Sequence, residues 1–115
     1  MAAEFTDNWT TQLRKGLLEL AILNALRGSR LYGYQIVRQL QEIEGLVISE
    51  GTIYPLLNRL RKEALVHTTL EQSPEGPARK YYELTRLGLD QLRWMNGYWD
   101  RLTNGLDSLR GGRKR

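Results

Sequence analysis

Apolar positions recur along the first two thirds of the chain at helical spacing. Between Thr10 and Arg27 they are Leu13, Leu17, Leu18, Leu20, Ala21, Ile22, Leu23, Ala25 and Leu26, which nearly encircle the axis. That pattern predicts a helix buried on more than one side, ended by Gly28-Ser29. A second helix follows Gly33, with Ile36, Val37, Leu40 and Ile43 inward and Gly45 as its stop. The stretch SEGTIYPLLNRLRKE, from Ser49 to Glu63, predicts a third. Ile53, Leu56, Leu57, Leu60 and Ala64 define its apolar face and Ser49 is its N-cap. The period then changes to two. Val66, Thr68 and Leu70 alternate with His67, Thr69 and Glu71, a Gly/Pro-rich turn follows, and then Arg79-Lys80-Tyr81-Tyr82-Glu83-Leu84. Two strands around such a turn are a β-hairpin. Thr85 then caps a long last helix.

This order predicts a mainly α chain with a two-stranded β-hairpin: a winged helix-turn-helix followed by a long C-terminal dimerisation helix. Residues 1–8 read as a flexible N-terminal arm, 9–84 as the DNA-binding domain, 85–110 as the last helix and 111–115 as a basic tail. One residue breaks a rule. Pro55 lies well past the first turn counted from Ser49, where it removes a hydrogen bond and crowds the Gly51 carbonyl. Either the first turn of the third helix is loosened where it would meet DNA, or Pro55 opens a helix that starts later. The sequence leaves both readings open.

The 115 residues make one domain, and 41% hydrophobic with 26% charged residues is the balance of an ordinary soluble globular chain. There is no cysteine, so disulfides and thiolate metal sites are excluded. The start has neither a basic nor an apolar signal region. The apolar run from Leu17 to Leu26 is too short to span a bilayer and holds Glu19 and Asn24. A cytoplasmic chain with no membrane partner is expected. The formal net charge of +4 suggests a polyanionic partner. Arg113, Lys114 and Arg115 supply three of those charges, so the case for nucleic acid rests on placement.

The third helix carries the placement. Opposite its apolar face stand Glu50, Thr52, Tyr54, Asn58, Arg59, Arg61 and Lys62. Arg suits guanine or phosphate, Asn suits adenine, and Thr and Tyr suit phosphate or base edges. A charged face on a lone helix is ordinarily just solvated. Its position as third helix before a basic hairpin points to double-stranded DNA. In the hairpin Gly76 fixes the turn, and Arg79 and Lys80 are placed to reach phosphate or minor groove. Tyr32 and Tyr34, flanking Gly33, are candidates for phosphate contact or for core packing.

In the last helix Leu92, Met95, Trp99, Leu102, Leu106 and Leu109 are spaced alternately three and four residues apart, an a/d seam. A domain this small has little with which to cover such a stripe together with Trp94 and Tyr98. A second copy would cover it, with Leu13 and Leu17 of the first helix as the other wall, and a symmetric dimer suits paired half-sites. Gly97 and Gly105 weaken this helix by about 1 kcal/mol each relative to Ala.

The stretches LRKGLLELAILNAL, YGYQIVRQL, SEGTIYPLLNRLRKEALV and GPARKYYELTRLG resemble the PadR family of bacterial transcriptional regulators, over roughly residues 13–89. The last helix is similar to that of its short-chain branch. The resemblance implies a homodimer that binds inverted-repeat operators, usually a repressor released by a small molecule. By position it implies DNA contact through Thr52, Tyr54, Arg59, Lys62, Gly76, Arg79 and Lys80. It also implies a pocket in which Trp99 of each copy lines a site for a small aromatic effector. Met95 and Leu92 lie one and two turns from Trp99, and Leu13, Leu17 and Ala21 offer walls. The Arg113–Arg115 tail departs from the family pattern.

Enzyme chemistry has little support. His67 is the single histidine, and no triad, phosphate-binding motif or metal-ligand cluster accompanies it. No cofactor is expected. The rival reading is a winged helix used for protein–protein contact, which needs an apolar patch on the third helix, where Tyr54 is the single large candidate.

Overall fold

The structure, a computed structural model, describes residues 2–111, with side chains from residue 7 onward. The Arg113–Arg115 tail lies outside the described residues. The chain runs α1 (Ala2–Ala25), β1 (Leu31–Tyr32), α2 (Gly33–Gln41), α3 (Glu50–Lys62), β2 (Val66–Ser73), β3 (Gly76–Leu84) and α4 (Arg86–Leu109). The three helices, the hairpin and the last helix occur in the expected order, but α2 ends at Gln41, so Ile43, expected inward on it, lies beyond the helix and is exposed. Two elements differ. α1 reaches back to Ala2, through the segment read as a loose arm, because no Gly or Pro interrupts the chain before Gly16. A two-residue strand, β1, pairs with β3, Leu31 opposite Tyr82 and Tyr32 opposite Tyr81. The hairpin is therefore part of a three-stranded antiparallel sheet of order β1-β3-β2. Two residues are too few to display a period, which is why β1 is silent in the sequence.

The core gathers one apolar face from each helix. Ile22 and Leu23 of α1 and Leu26 just past its end meet Ile36, Val37 and Leu40 of α2 and Ile53, Leu57 and Leu60 of α3, all fully buried, with Val66, Tyr82 and Leu92 closing the sheet side. Burying a side chain of this kind stabilises by about 1.5–3 kcal/mol, so these faces hold the three helices in one arrangement. Gly33 exists for that packing. A Cβ there would stand 2.5 Å from the Tyr54 ring and 2.8 Å from its hydroxyl.

The end of α3 corrects one detail. Ala64, expected on the apolar face, is exposed and lies beyond the helix at φ 64. Leu65 N–H donates to the Leu60 carbonyl and Ala64 N–H to the Arg61 carbonyl, each at 3.0 Å. These two bonds are a Schellman closure, with Ala in the position that usually holds Gly.

α4 is fixed at its root. Thr85 caps it, its hydroxyl accepting from Gly88 N–H at 2.9 Å and donating to the Ala64 carbonyl at 2.6 Å. Thr85 N–H donates to the Leu65 carbonyl at 3.1 Å. A Cβ on Gly88 would stand 1.9 Å from that same carbonyl oxygen, so only Gly lets the first turn of α4 press on the start of β2. No helix among the described residues is long and apolar enough to cross a membrane.

Candidate nucleic-acid interface

α3 begins with Ser49 in extended backbone, its carbonyl accepting from Thr52 and Ile53 N–H, both at 3.1 Å. The turn before Pro55 is therefore helical, and Pro55 sits inside the helix. That settles the question left by the sequence: Pro55 does not open a later helix. The Gly51 carbonyl, four residues before Pro55, loses its helical donor. Ser49 acts as N-cap through its backbone alone, while its hydroxyl lies 3.3 Å from that of Thr52. The first amides of α3 thus keep their donors unclaimed by a side chain, at an end where the helix dipole favours anions. Gly51, beside them, exposes backbone.

Along α3, Thr52, Asn58 and Lys62 are exposed, as a reading face requires. Asn58 accepts from Arg61 Nη2 at 2.8 Å, which orients its amide. Two residues stand differently from the sequence expectation. Arg59 is occupied: it donates to Glu19 of α1 at 2.8 Å and to Glu63 at 2.9 Å. Those two carboxylates, Glu19 first, raise its pKa, so this cation is neutralised locally and is a strut between α3 and α1. Tyr54 lays its ring on Gly33, and partial burial, then Glu50, pushes its phenol pKa up. It spaces α3 from α2 while leaving one edge exposed. Tyr34 is exposed and accepts from Arg38 Nη1 at 3.0 Å.

In the wing, alternation along β3 sends Arg79 and Lys80 to opposite faces of the hairpin. Lys80 lies opposite Leu70 on the face that carries Tyr82 farther in, whereas Arg79 joins Tyr81, Tyr32 and Glu71 on the outer face. Gly76 turns at φ 149. Pro77 is tolerated in β3 because β1 pairs only with Tyr81 and Tyr82, leaving that edge free near the tip. His67, 3.7 Å from Glu83, is an exposed strand residue. Among the described residues no group of His, Cys, Asp and Glu is placed to hold a metal ion.

The second surface lies between α1 and α4. Leu13, Gly16, Leu17 and Leu20 face Trp94, Met95, Tyr98, Trp99 and Leu102 across an apolar groove of about 400 Å³. Trp94 and Tyr98 stack in it, ring centroids 5.3 Å apart. A second groove of about 390 Å³, between α1 and α2, is walled by Leu17, Ala21, Ile43 and, again, Trp99. Of the seam expected from the heptads, Leu102, Leu106 and Leu109 remain 45%, 49% and 84% exposed. Leu92 does not belong to that free surface. It is 1% exposed within the core of its own chain, because its place on α4 is still over the domain. It is thus unavailable to a partner or an effector. Trp94 and Tyr98 belong to the groove although they are off the heptad register of α4, and Gly16 and Leu20 join them from α1. For Trp94 and Tyr98 the signal in the sequence was an excess of large apolar residues on the last helix.

A trihelical core with an exposed, anion-favouring third helix and a basic hairpin defines a winged helix-turn-helix regulator of the DNA-binding class. The comparison with known proteins gives the family. Residues 22–94 match the transcriptional regulator PadR-like family. A PadR-like transcriptional regulator from Bacillus cereus is 39% identical, over 89% of this chain and 99% of its own, with a TM-score of 0.80. A PadR family transcriptional regulator from Eggerthella lenta is 30% identical over 97% of each chain, with a TM-score of 0.83. The chain belongs to the PadR-like family of transcriptional regulators, a family of DNA-binding regulators and not of enzymes.

Proposed function

We propose that this chain is a cytoplasmic repressor that binds an inverted-repeat operator as a homodimer and leaves it when a small aromatic effector binds. Residues 9–84 carry the DNA contacts, through the start of α3 (Thr52, Asn58, Lys62) and the wing (Arg79, Lys80), with Tyr34 on phosphate. Residues 85–110 carry the dimer, through Met95, Trp99, Leu102, Leu106 and Leu109 against Leu13 and Leu17 of the partner. The observation that carries this reading is the uncovered apolar surface of α1 and α4, which has groove, aromatics and seam together and no cover from the described residues of its own chain. A contiguous patch of that kind marks an interaction site. Two copies related by a two-fold axis would place two recognition helices at half-site spacing. Trp99 and Met95 line the groove where a flat aromatic ring would stack.

Release of DNA follows if the ligand prefers a dimer whose wings are differently spaced, since a ligand with equal affinity for both states shifts nothing. Electrophoretic shifts against genomic fragments of the source organism, with sedimentation of the free and bound protein, test the reading. A dimer shifting a discrete fragment that contains an inverted repeat supports it. A monomer, or binding without fragment preference, overturns it.

A further inference from the structure

The outer face of the wing holds two adjoining rings with a cation on each. Arg79 of β3 lies over the Tyr32 ring, Cζ to centroid 4.6 Å. Tyr32 meets Tyr81 edge to face at 5.4 Å. Arg30, one residue before β1, lies over Tyr81 at 4.1 Å. The two arginines look equivalent in this stack, but their charges are not. Arg30 is ion-paired with Glu71 of β2. Arg79 has no carboxylate partner among the described residues, although Glu71 is its neighbour in register. Glu71 therefore spends its charge on the arginine that is farther away in the strand pairing. Tyr32 is itself held, since its backbone N–H donates to Gln35 Oε1 at 3.0 Å at the start of α2. The ring under Arg79 thus belongs to a residue tied to the start of α2 as well as, through β1, to the hairpin.

We propose that Tyr32 is a positioning residue for DNA binding, holding the cation of the wing's outer face that has no carboxylate partner among the described residues, and that Glu71 silences Arg30 so that this face makes one phosphate contact and not two. This rests on the reading of the wing as a DNA-contacting element. A long side chain that is already immobilised loses less freedom on meeting phosphate. The guanidinium can keep its stack on a ring while its edge donates to an oxygen. Tyr32 needs no contact with DNA for this role. Glu71 acts by charge: freeing Arg30 from it adds a cation next to the phosphate path.

The test uses the full chain and a fluorescent mixed-sequence duplex of about 30 bp, titrated at several concentrations across roughly 50–200 mM salt. Arg79→Ala weakens binding and flattens the salt dependence by about 0.9 in slope, one phosphate's worth. Tyr32→Leu weakens binding by about two- to fivefold, the worth of an exposed cation–π contact, with the slope kept because the cation remains. Tyr32→Phe restores wild-type affinity. Glu71→Gln tightens binding and steepens the slope by about 0.9. Thermal melts of each variant separate loss of fold from loss of positioning. If Arg79→Ala leaves affinity and slope unchanged, the wing reading falls and the proposal with it. If Arg79→Ala behaves as stated but folded Tyr32→Leu binds like wild type, the positioning role of Tyr32 alone is wrong. An unchanged slope for Glu71→Gln removes the silencing of Arg30.

Discussion

Asn24 of α1 and Asn96 of α4 exchange two side-chain amide hydrogen bonds, each 3.0 Å long. Asn24 also donates to the Leu20 carbonyl at 3.1 Å, which fixes the direction of its amide. In the sequence Asn24 is merely the polar interruption of a greasy run. In the fold it is the polar peg that sets the register of α4 along α1, beside Leu17, Leu20 and Trp99 of the second groove. Replacing Asn96 by Leu leaves Asn24 without its partner and is expected to cost about 0.5–1.5 kcal/mol. Urea unfolding of Asn24→Ala, Asn96→Ala and the double variant measures the coupling. A sum of the single effects equal to the double effect would remove the peg.

Arg59 is expected to matter less for DNA than its place on α3 suggests. Its guanidinium already faces Glu19 and Glu63. Arg59→Ala should alter the salt slope of binding by clearly less than the one-phosphate change expected for a free cation. Because the pairs are exposed, the stability loss should stay below about 1 kcal/mol. A slope change as large as that of Arg79→Ala would show that DNA displaces both carboxylates.

Ala64 occupies a left-handed position at φ 64. An L-residue there costs about 1–2 kcal/mol that Gly avoids. Gly also loses more freedom on folding. Ala64→Gly should therefore raise the urea midpoint by an amount equivalent to roughly 0.5–1 kcal/mol, with m unchanged. A lowered midpoint would mean that the closure of α3 is not strained.

Leu102 stands at the open end of the first groove, 45% exposed in the single chain. If a second copy covers it, Leu102→Asp places a charge in an apolar interface and gives monomer or unfolded protein in sedimentation. An intact dimer carrying Leu102→Asp would move the interface elsewhere. Truncating a buried leucine typically costs about 2–5 kcal/mol, so Leu102→Ala should already raise the dimer dissociation constant.

Trp99 walls both apolar grooves. A planar aromatic ligand stacked there should quench tryptophan fluorescence in the wild type and bind more weakly to Trp99→Ala, by about 0.5–1.5 kcal/mol per aromatic pair lost. Equal affinity for the variant would place any effector away from Trp99.

The architecture was legible where one rule governed a long stretch. Leu17 through Leu26, the alternation around Leu70 and the cap at Thr85 each follow from local periodicity or capping, and the elements they announce are present. What was hidden depends on partners distant in sequence. β1 is strand only because Tyr81 and Tyr82 lie beside Leu31 and Tyr32. Of the two partners that occupy Arg59, Glu63 is one turn away and was legible, whereas Glu19 is forty residues away and was not. Leu92 kept the heptad spacing yet belongs to the core, since spacing names a face of α4 and not what stands opposite it. Pro55 left two readings open, a loosened first turn or a later start, and the helix runs through it from Glu50, with no proline N–H to offer the Gly51 carbonyl.

The joint at Leu65 has a mechanical side. One carbonyl accepts from Thr85 and is pressed by Gly88, while Ala64 next to it accepts from the Thr85 hydroxyl. The root of the wing and the root of α4 are therefore one rigid piece. The 24 residues of α4 make an arm of about 36 Å beyond that piece. Such an arm gears motion down: a sideways displacement of about 6 Å at its free end turns the root by only about 10°. Whatever pulls on the far end of α4 thus works with a long moment arm on β2, and leverage, with no added contact, carries that pull to the wing.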